Sequence, residues 1–145
     1  MTTLQINQAL SEGRIGVPGV LPKLDQLKNA PFVFRQEFGL DSLPEEAGII
    51  VIRGARQYGK STWLQRMIER TITSYGGGSA FYLNGDEIRD HDDLREDIRT
   101  LIPLYSSGAP VRRLFIDEIT AVGNWQAALK LLVDHGELRN VLVVT

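Results

Sequence analysis

Residues 54–61 read Gly-Ala-Arg-Gln-Tyr-Gly-Lys-Ser, two glycines with four residues between them followed at once by a lysine and a serine. The flanks constrain the fold as much as the octapeptide does. Upstream, Ile49-Ile50-Val51-Ile52 is an unbroken β-branched run, as expected of a strand covered on both faces. Downstream, Trp63, Leu64, Met67, Ile68 and Ile72 recur at helical spacing until Gly76-Gly77-Gly78 stops the pattern. Glycines at both ends of the loop let the backbone curl, so that successive N–H groups converge on one point. A helix beginning near Lys60 adds the positive end of its dipole there. Such a loop is built to hold an anion.

The rest of the chain repeats the alternation. Ser79 to Leu83 reads as a second strand, and Leu94, Ile98, Leu101 and Ile102 line a second helix that ends near Pro103. Val111 to Ile116 forms a third strand running into Asp117-Glu118. Asn124 is placed to cap a helix whose buried face carries Trp125, Ala128, Leu129, Leu132 and Val133, and Val141 to Val144 is a fourth buried strand. Strands alternating with helices imply right-handed crossovers and a mostly parallel sheet, a three-layer α/β domain. Residues 1–47 lack a strong period and hold four of the six prolines, Pro18, Pro22, Pro31 and Pro44. Within them Leu21, Leu24 and Leu27 suggest one short helix. We read 1–47 as a lead-in that packs on the edge of a core spanning 48–145.

Composition narrows the function classes. At 145 residues the chain suffices for one core. Lys and Arg number 16 against 18 Asp and Glu, a net charge of −2, so charge gives no support to nucleic-acid binding. Without cysteine there is no disulfide, iron–sulfur cluster or Cys-ligated zinc, and His91 and His135 read as solvated helix-surface residues. The start has no basic region followed by an apolar stretch, and the longest apolar runs are strand-length, so no membrane partner is expected and the cytoplasm is the default compartment.

Gly54 to Ser61 matches G-x-x-x-x-G-K-[ST] at every fixed position, the P-loop of nucleoside triphosphate-binding proteins. Gly54, Ala55, Arg56, Gln57, Tyr58, Gly59, Lys60, Ser61 and Thr62 make up the expected nucleotide contact set. Lys60 would reach the β- and γ-phosphates, and the Ser61 hydroxyl would ligand Mg2+. Arg56, Gln57 and Tyr58 form the variable tip, where Arg56 is as well explained by solvation as by a phosphate contact. A magnesium nucleotide needs a second anchor, and an Asp at the end of an apolar strand supplies one. Asp117 would hold the metal, and Glu118 would polarise the water that attacks the γ-phosphate. Asn84 and Asp86, at the end of the second strand, would orient water or magnesium, with helix capping by Asp86 as the equal alternative. No Asn-Lys-x-Asp guanine reader occurs, which favours ATP by elimination.

Three stretches carry a family likeness. Gly54 to Thr62, Phe81-Tyr82-Leu83-Asn84-Gly85-Asp86, and Leu114-Phe115-Ile116-Asp117-Glu118-Ile119 with Asn124-Trp125 resemble prokaryotic ATPases of the AAA+-like group known as the AAA_14 domain. That domain is usually followed by a DUF4143 domain. The resemblance covers about Gly48 to Thr145. It implies ATP hydrolysis coupled to an unidentified protein partner or C-terminal domain, and it permits an oligomer. Thr145 stands where the family carries the start of a γ-phosphate sensor. Tyr58 and Gly85 depart from the expected small aliphatic and aliphatic residues. The usual strand order of the class, 5-1-4-3-2, implies truncation after the fourth core strand, with Ile49 to Ile52 as an exposed edge or one covered by the lead-in. A fifth strand within 1–47 would contradict that reading, and an arginine finger and lid groups supplied from elsewhere would leave this chain slow alone. Two other readings stay open, a nucleotide-dependent switch module with little turnover and a small-molecule P-loop kinase.

Overall fold

Four segments pair into one all-parallel sheet: β1 Gly48–Ile50, β2 Ala80–Asn84, β3 Arg113–Asp117 and β4 Leu142–Val144, in the order β1-β4-β3-β2. That is the 1-4-3-2 run of the expected order. The computed structural model describes residues 1–28, 42–53 and 59–145. Among the described residues five α-helices accompany the sheet: α1 Thr3–Ser11, α2 Pro22–Lys28, α3 Lys60–Tyr75, α4 His91–Leu101 and α5 Trp125–Asp134. The first crossover, through α3, runs from one edge of the sheet to the other, and the next two step back. Right-handed crossovers therefore put α3 on one face and α4 with α5 on the opposite one. Consistent with this, α4 packs against α5. The core lies between these layers, with Phe81, Phe115, Leu64, Ile68, Leu94 and Leu132 fully buried.

The helical stripes fold largely as their spacing predicts. Trp63, Leu64, Met67, Ile68 and Ile72 of α3 are all buried, as are Leu94, Ile98 and Leu101 of α4, and a 3-10 turn at Ile102–Leu104 follows. Three expectations need correction. Val133, assigned to the buried face of α5, is 48% exposed because it lies at the margin of the stripe. Asn124 stands at the N-cap of α5 but makes no side-chain capping bond; its φ of 59° is a left-handed conformation that asparagine tolerates better than most residues. Nor is the first strand covered on both faces. Ile49 and Val51 are 40% and 44% exposed, whereas Ile52 is buried. Among the described residues no strand pairs with the outer edge of β1.

The described part of the N-terminal segment holds two helices where the sequence suggested one, and α1 covers the other edge. Thr2 Oγ1 accepts from the Gln5 N–H while Gln5 Oε1 accepts from the Thr2 N–H, a reciprocal capping box that starts α1. Asn7, on α1, is only 4% exposed. Its Nδ2 donates to the Tyr82 carbonyl at 2.7 Å and its Oδ1 accepts from the Tyr82 N–H at 2.7 Å. One side-chain amide thereby does for β2 what the peptide of a neighbouring strand would do, satisfying an edge that would otherwise stay open. The end of α1 rests on the triglycine: a Cβ on Gly77 would lie 2.6 Å from the Gly13 nitrogen, and Gly78 N–H donates to the Leu10 carbonyl. Helix α2 packs on α3, where Lys23 N–H donates to Gln65 Oε1.

Candidate functional site

Because every strand is parallel, all four carboxyl ends meet at one edge of the sheet, where ligands of open α/β sheets bind. The ladder between β1 and β4 continues to that edge through Thr145 N–H to the Ile50 carbonyl and Ile52 N–H to the Thr145 carbonyl. Arg53 follows, and Gly54, Ala55, Arg56, Gln57 and Tyr58 lie outside the described residues. The chain is described again from Gly59, the N-cap of α3, with φ 80° and no side-chain capping bond. Lys60 and Ser61 open this 16-residue helix and, like Thr62, are half-buried. Its first N–H groups and the positive end of its dipole are directed at the same edge.

The acidic pair stands two strands away. Asp117 ends β3 and is 8% exposed, paired in register with Asn84 at the end of β2. Tyr82 lines a small pocket with Gln65 and Ile68 of α3. Side chains two apart on a strand share a face, so Asn84 and Asp117 stand on the α3 side of the sheet with Tyr82. Asp117 Oδ1 accepts from the Glu118 N–H at 3.0 Å, which fixes the rotation of the carboxylate. Glu118 is half-buried, with φ 53° and ψ 39°. A left-handed glutamate is uncommon and strained, and persists where its surroundings over-determine it.

Those surroundings include Gly85. A Cβ built there would lie 2.0 Å from the Glu118 carbonyl oxygen and 2.7 Å from its carbonyl carbon. The departure from an aliphatic residue at Gly85 thus has a steric cause. Asn84 Oδ1 accepts from the Asp86 N–H, shaping the 3-10 turn Gly85–Glu87. Asp86 is exposed, and the helix cap considered for it belongs to Asp90, whose side chain accepts from the Asp93 N–H at the start of α4. The Thr145 hydroxyl donates to the Ile116 carbonyl at 2.6 Å and the residue is 0% exposed, so it pins β4 to β3.

The β2–β3 end of this edge gathers acidic side chains. Burial first, and then the charges of Asp117, Glu87, Glu118 and Asp86, push the Tyr82 phenol well above its usual range. The Ser61 hydroxyl and the Asp117 carboxylate, the expected Mg2+ contacts, are oxygen donors of the type that cation prefers, and among the described residues no group of three acidic or histidine side chains is gathered around a metal-sized site. Sequence reasoning missed the roles of Gly85 and Asn7. Gly85 did signal itself by departing from the expected residue type, whereas Asn7 gave no such sign. No helix among the described residues is long and apolar enough to cross a membrane. A family model, AAA_14, described as an AAA domain, matches residues 46–145. Comparison with curated proteins and with solved structures returned no match.

Proposed function

The chain belongs to the AAA domain family of nucleotide-binding P-loop ATPases, and from that premise we propose that it binds ATP with Mg2+ and hydrolyses the β–γ phosphoanhydride bond. One observation carries the reading: an α3 N-terminus without a side-chain cap and the Asp117-Glu118 pair stand at the same carboxyl edge of a parallel sheet. In this reading the loop 54–59 wraps the phosphates with backbone N–H groups, and the Lys60 ammonium neutralises charge on the β- and γ-phosphates. Ser61 and Asp117 would hold the metal. Magnesium, when bound, supplies charge neutralisation at the phosphate oxygens. Glu118 orients a water and accepts its proton as the water oxygen bonds to the γ-phosphorus and the bond to the bridging oxygen breaks, leaving ADP and phosphate. Asn84, in register beside Asp117, would orient water or magnesium.

Turnover is coupled, in this proposal, to a partner protein or further domain. An arginine finger supplied from outside the chain would raise the rate by about 10³–10⁵ where such a group is used. The test is calorimetric titration with ATP and Mg2+ alongside phosphate release. Lys60→Ala should abolish binding. Glu118→Gln should retain it while lowering turnover about 10²–10⁴-fold. Wild-type binding with no turnover to lose would favour the switch module instead, and phosphate transfer to an added metabolite would favour the kinase.

A further inference from the structure

We infer that Gly85 is a positioning residue for Glu118, acting through a backbone contact that any side chain would destroy; the inference rests on the hydrolytic reading above. The atoms a Cβ would meet are the Glu118 carbonyl oxygen at 2.0 Å, its carbonyl carbon at 2.7 Å and Ile119 Cα at 3.2 Å. All are main chain, so no flexible side-chain end can swing aside. The Glu118 peptide is itself held at both poles. Its N–H donates to Asp117 Oδ1, and its carbonyl accepts from the Ala121 N–H at 3.1 Å in the 3-10 turn Ile119–Ala121.

The other side of the contact is equally restrained. The Gly85–Glu87 turn is tied by Asn84 Oδ1 to the Asp86 N–H and by Thr3 Oγ1, which donates to Glu87 Oε2 at 2.5 Å. Just upstream, Tyr82 is clamped by Asn7. A methyl group at position 85 therefore displaces the Glu118 peptide, and with it the strained φ that aims the Glu118 carboxylate. Asp117 keeps its place in the β2–β3 ladder opposite Asn84 while its Oδ1 shares the Glu118 N–H, and Lys60 and Ser61 sit on a different element. The effect should fall on turnover rather than on binding.

The experiment compares wild type, Gly85→Ala, Glu118→Gln and the double variant for ATP·Mg2+ affinity by calorimetry and for phosphate release. Gly77→Ala serves as a control whose Cβ would also meet only main chain, the nearest atom at 2.6 Å, beyond the opposite end of β2 and away from the site. Gly85→Ala should lower kcat about 10–100-fold, the scale of an ångström-sized misplacement, with Kd within about threefold. The double variant should turn over no more slowly than Glu118→Gln alone, and Gly77→Ala should keep wild-type kcat at temperatures where it is folded. A wild-type kcat in Gly85→Ala, a parallel loss of affinity, or multiplicative losses in the double variant would each overturn the inference. Should Gly85→Ala not fold, Thr3→Val carries the test: freeing Glu87 should lower kcat about two- to fivefold at constant Kd, the worth of one exposed hydrogen bond, and no change would overturn the inference. A wild type that binds ATP without hydrolysing it would sink the hydrolytic reading and this inference together, an outcome distinct from all of these.

Discussion

Asn7 commits both ends of its amide to one backbone unit, that of Tyr82, 75 residues along the chain. Truncation to alanine would leave a peptide N–H and a carbonyl on the β2 edge without their partner beneath α1. Water reaches this site only in part, so Asn7→Ala should destabilise the fold by about 2 kcal/mol, read as a lower urea midpoint at unchanged slope. Asn7→Asp should lose nearly as much, since a carboxylate cannot donate to the Tyr82 carbonyl. A midpoint within error of wild type for both would show that the amide is not what closes this edge. Nothing around Asn7 in the sequence marks it, because its role is defined by a contact made far along the chain. Gly85 belongs to the same class, since its requirement comes from the Glu118 carbonyl. The roles proposed for Lys60, Ser61 and Asp117 are read from sequence for the opposite reason: the P-loop pattern and an acid at a strand end are local signals that need no distant contact to be seen.

At the level of elements, periodicity reads helix faces well at their centre and poorly at their margin. On α5, Leu132 is fully buried while the adjacent Val133 is 48% exposed, although both fit an apolar stripe. Leu132→Ala should therefore cost about 2–5 kcal/mol, a lost side chain plus the cavity it leaves. Val133→Lys should change stability by no more than about 0.5 kcal/mol. Chemical denaturation of the two variants decides it, and equal losses would mean that the face of α5 has been misjudged. β1 shows why a β-branched run alone cannot report burial. Ile49-Ile50-Val51-Ile52 is uniform in sequence, yet exposure alternates along it, because composition says nothing of whether a strand lies inside a sheet or at its rim. α1 was legible in principle through Thr2 and Gln5, the two ends of its capping box, but its apolar pattern is too short to stand out. Glu118, Asn84 and Asp117 come to one edge only because all four strands run parallel, and that was the part of the architecture the alternation of strands and helices made plain.

At the scale of the molecule, two tyrosines raised by burial make the fold sensitive to alkali. Tyr82 stands toward the carboxyl edge of the sheet. Tyr105, only 6% exposed, sits against Phe81 edge-on at 4.8 Å and donates from its hydroxyl to the Arg113 carbonyl at 2.7 Å, near the amino end of β3. Burial raises both phenols above the ordinary value of 10.0. A raised folded-state pKa means that, above pH 10, the unfolded chain releases protons that the folded chain still holds. The associated stability is thus fully present below pH 10 and is lost as pH rises beyond it. For the enclosed Tyr105 the loss amounts to about 1.4 kcal/mol per pH unit while its folded form stays protonated. Lys130, raised by its bond to Asp134, works in the same direction at the exposed surface. Urea midpoints measured from pH 8 to 11 should hold level to about pH 9.5 and fall steeply above 10. Tyr105→Phe should lower the plateau by about 1 kcal/mol, the net worth of its hydroxyl bond, yet give a shallower alkaline limb because one titrating phenol is gone. The sign of that crossing is the discriminating result. A variant less stable at pH 8 that loses stability as steeply as wild type above pH 10 would mean that the phenol titrates as freely in the fold as outside it, and that the interior between Phe81 and β3 admits water.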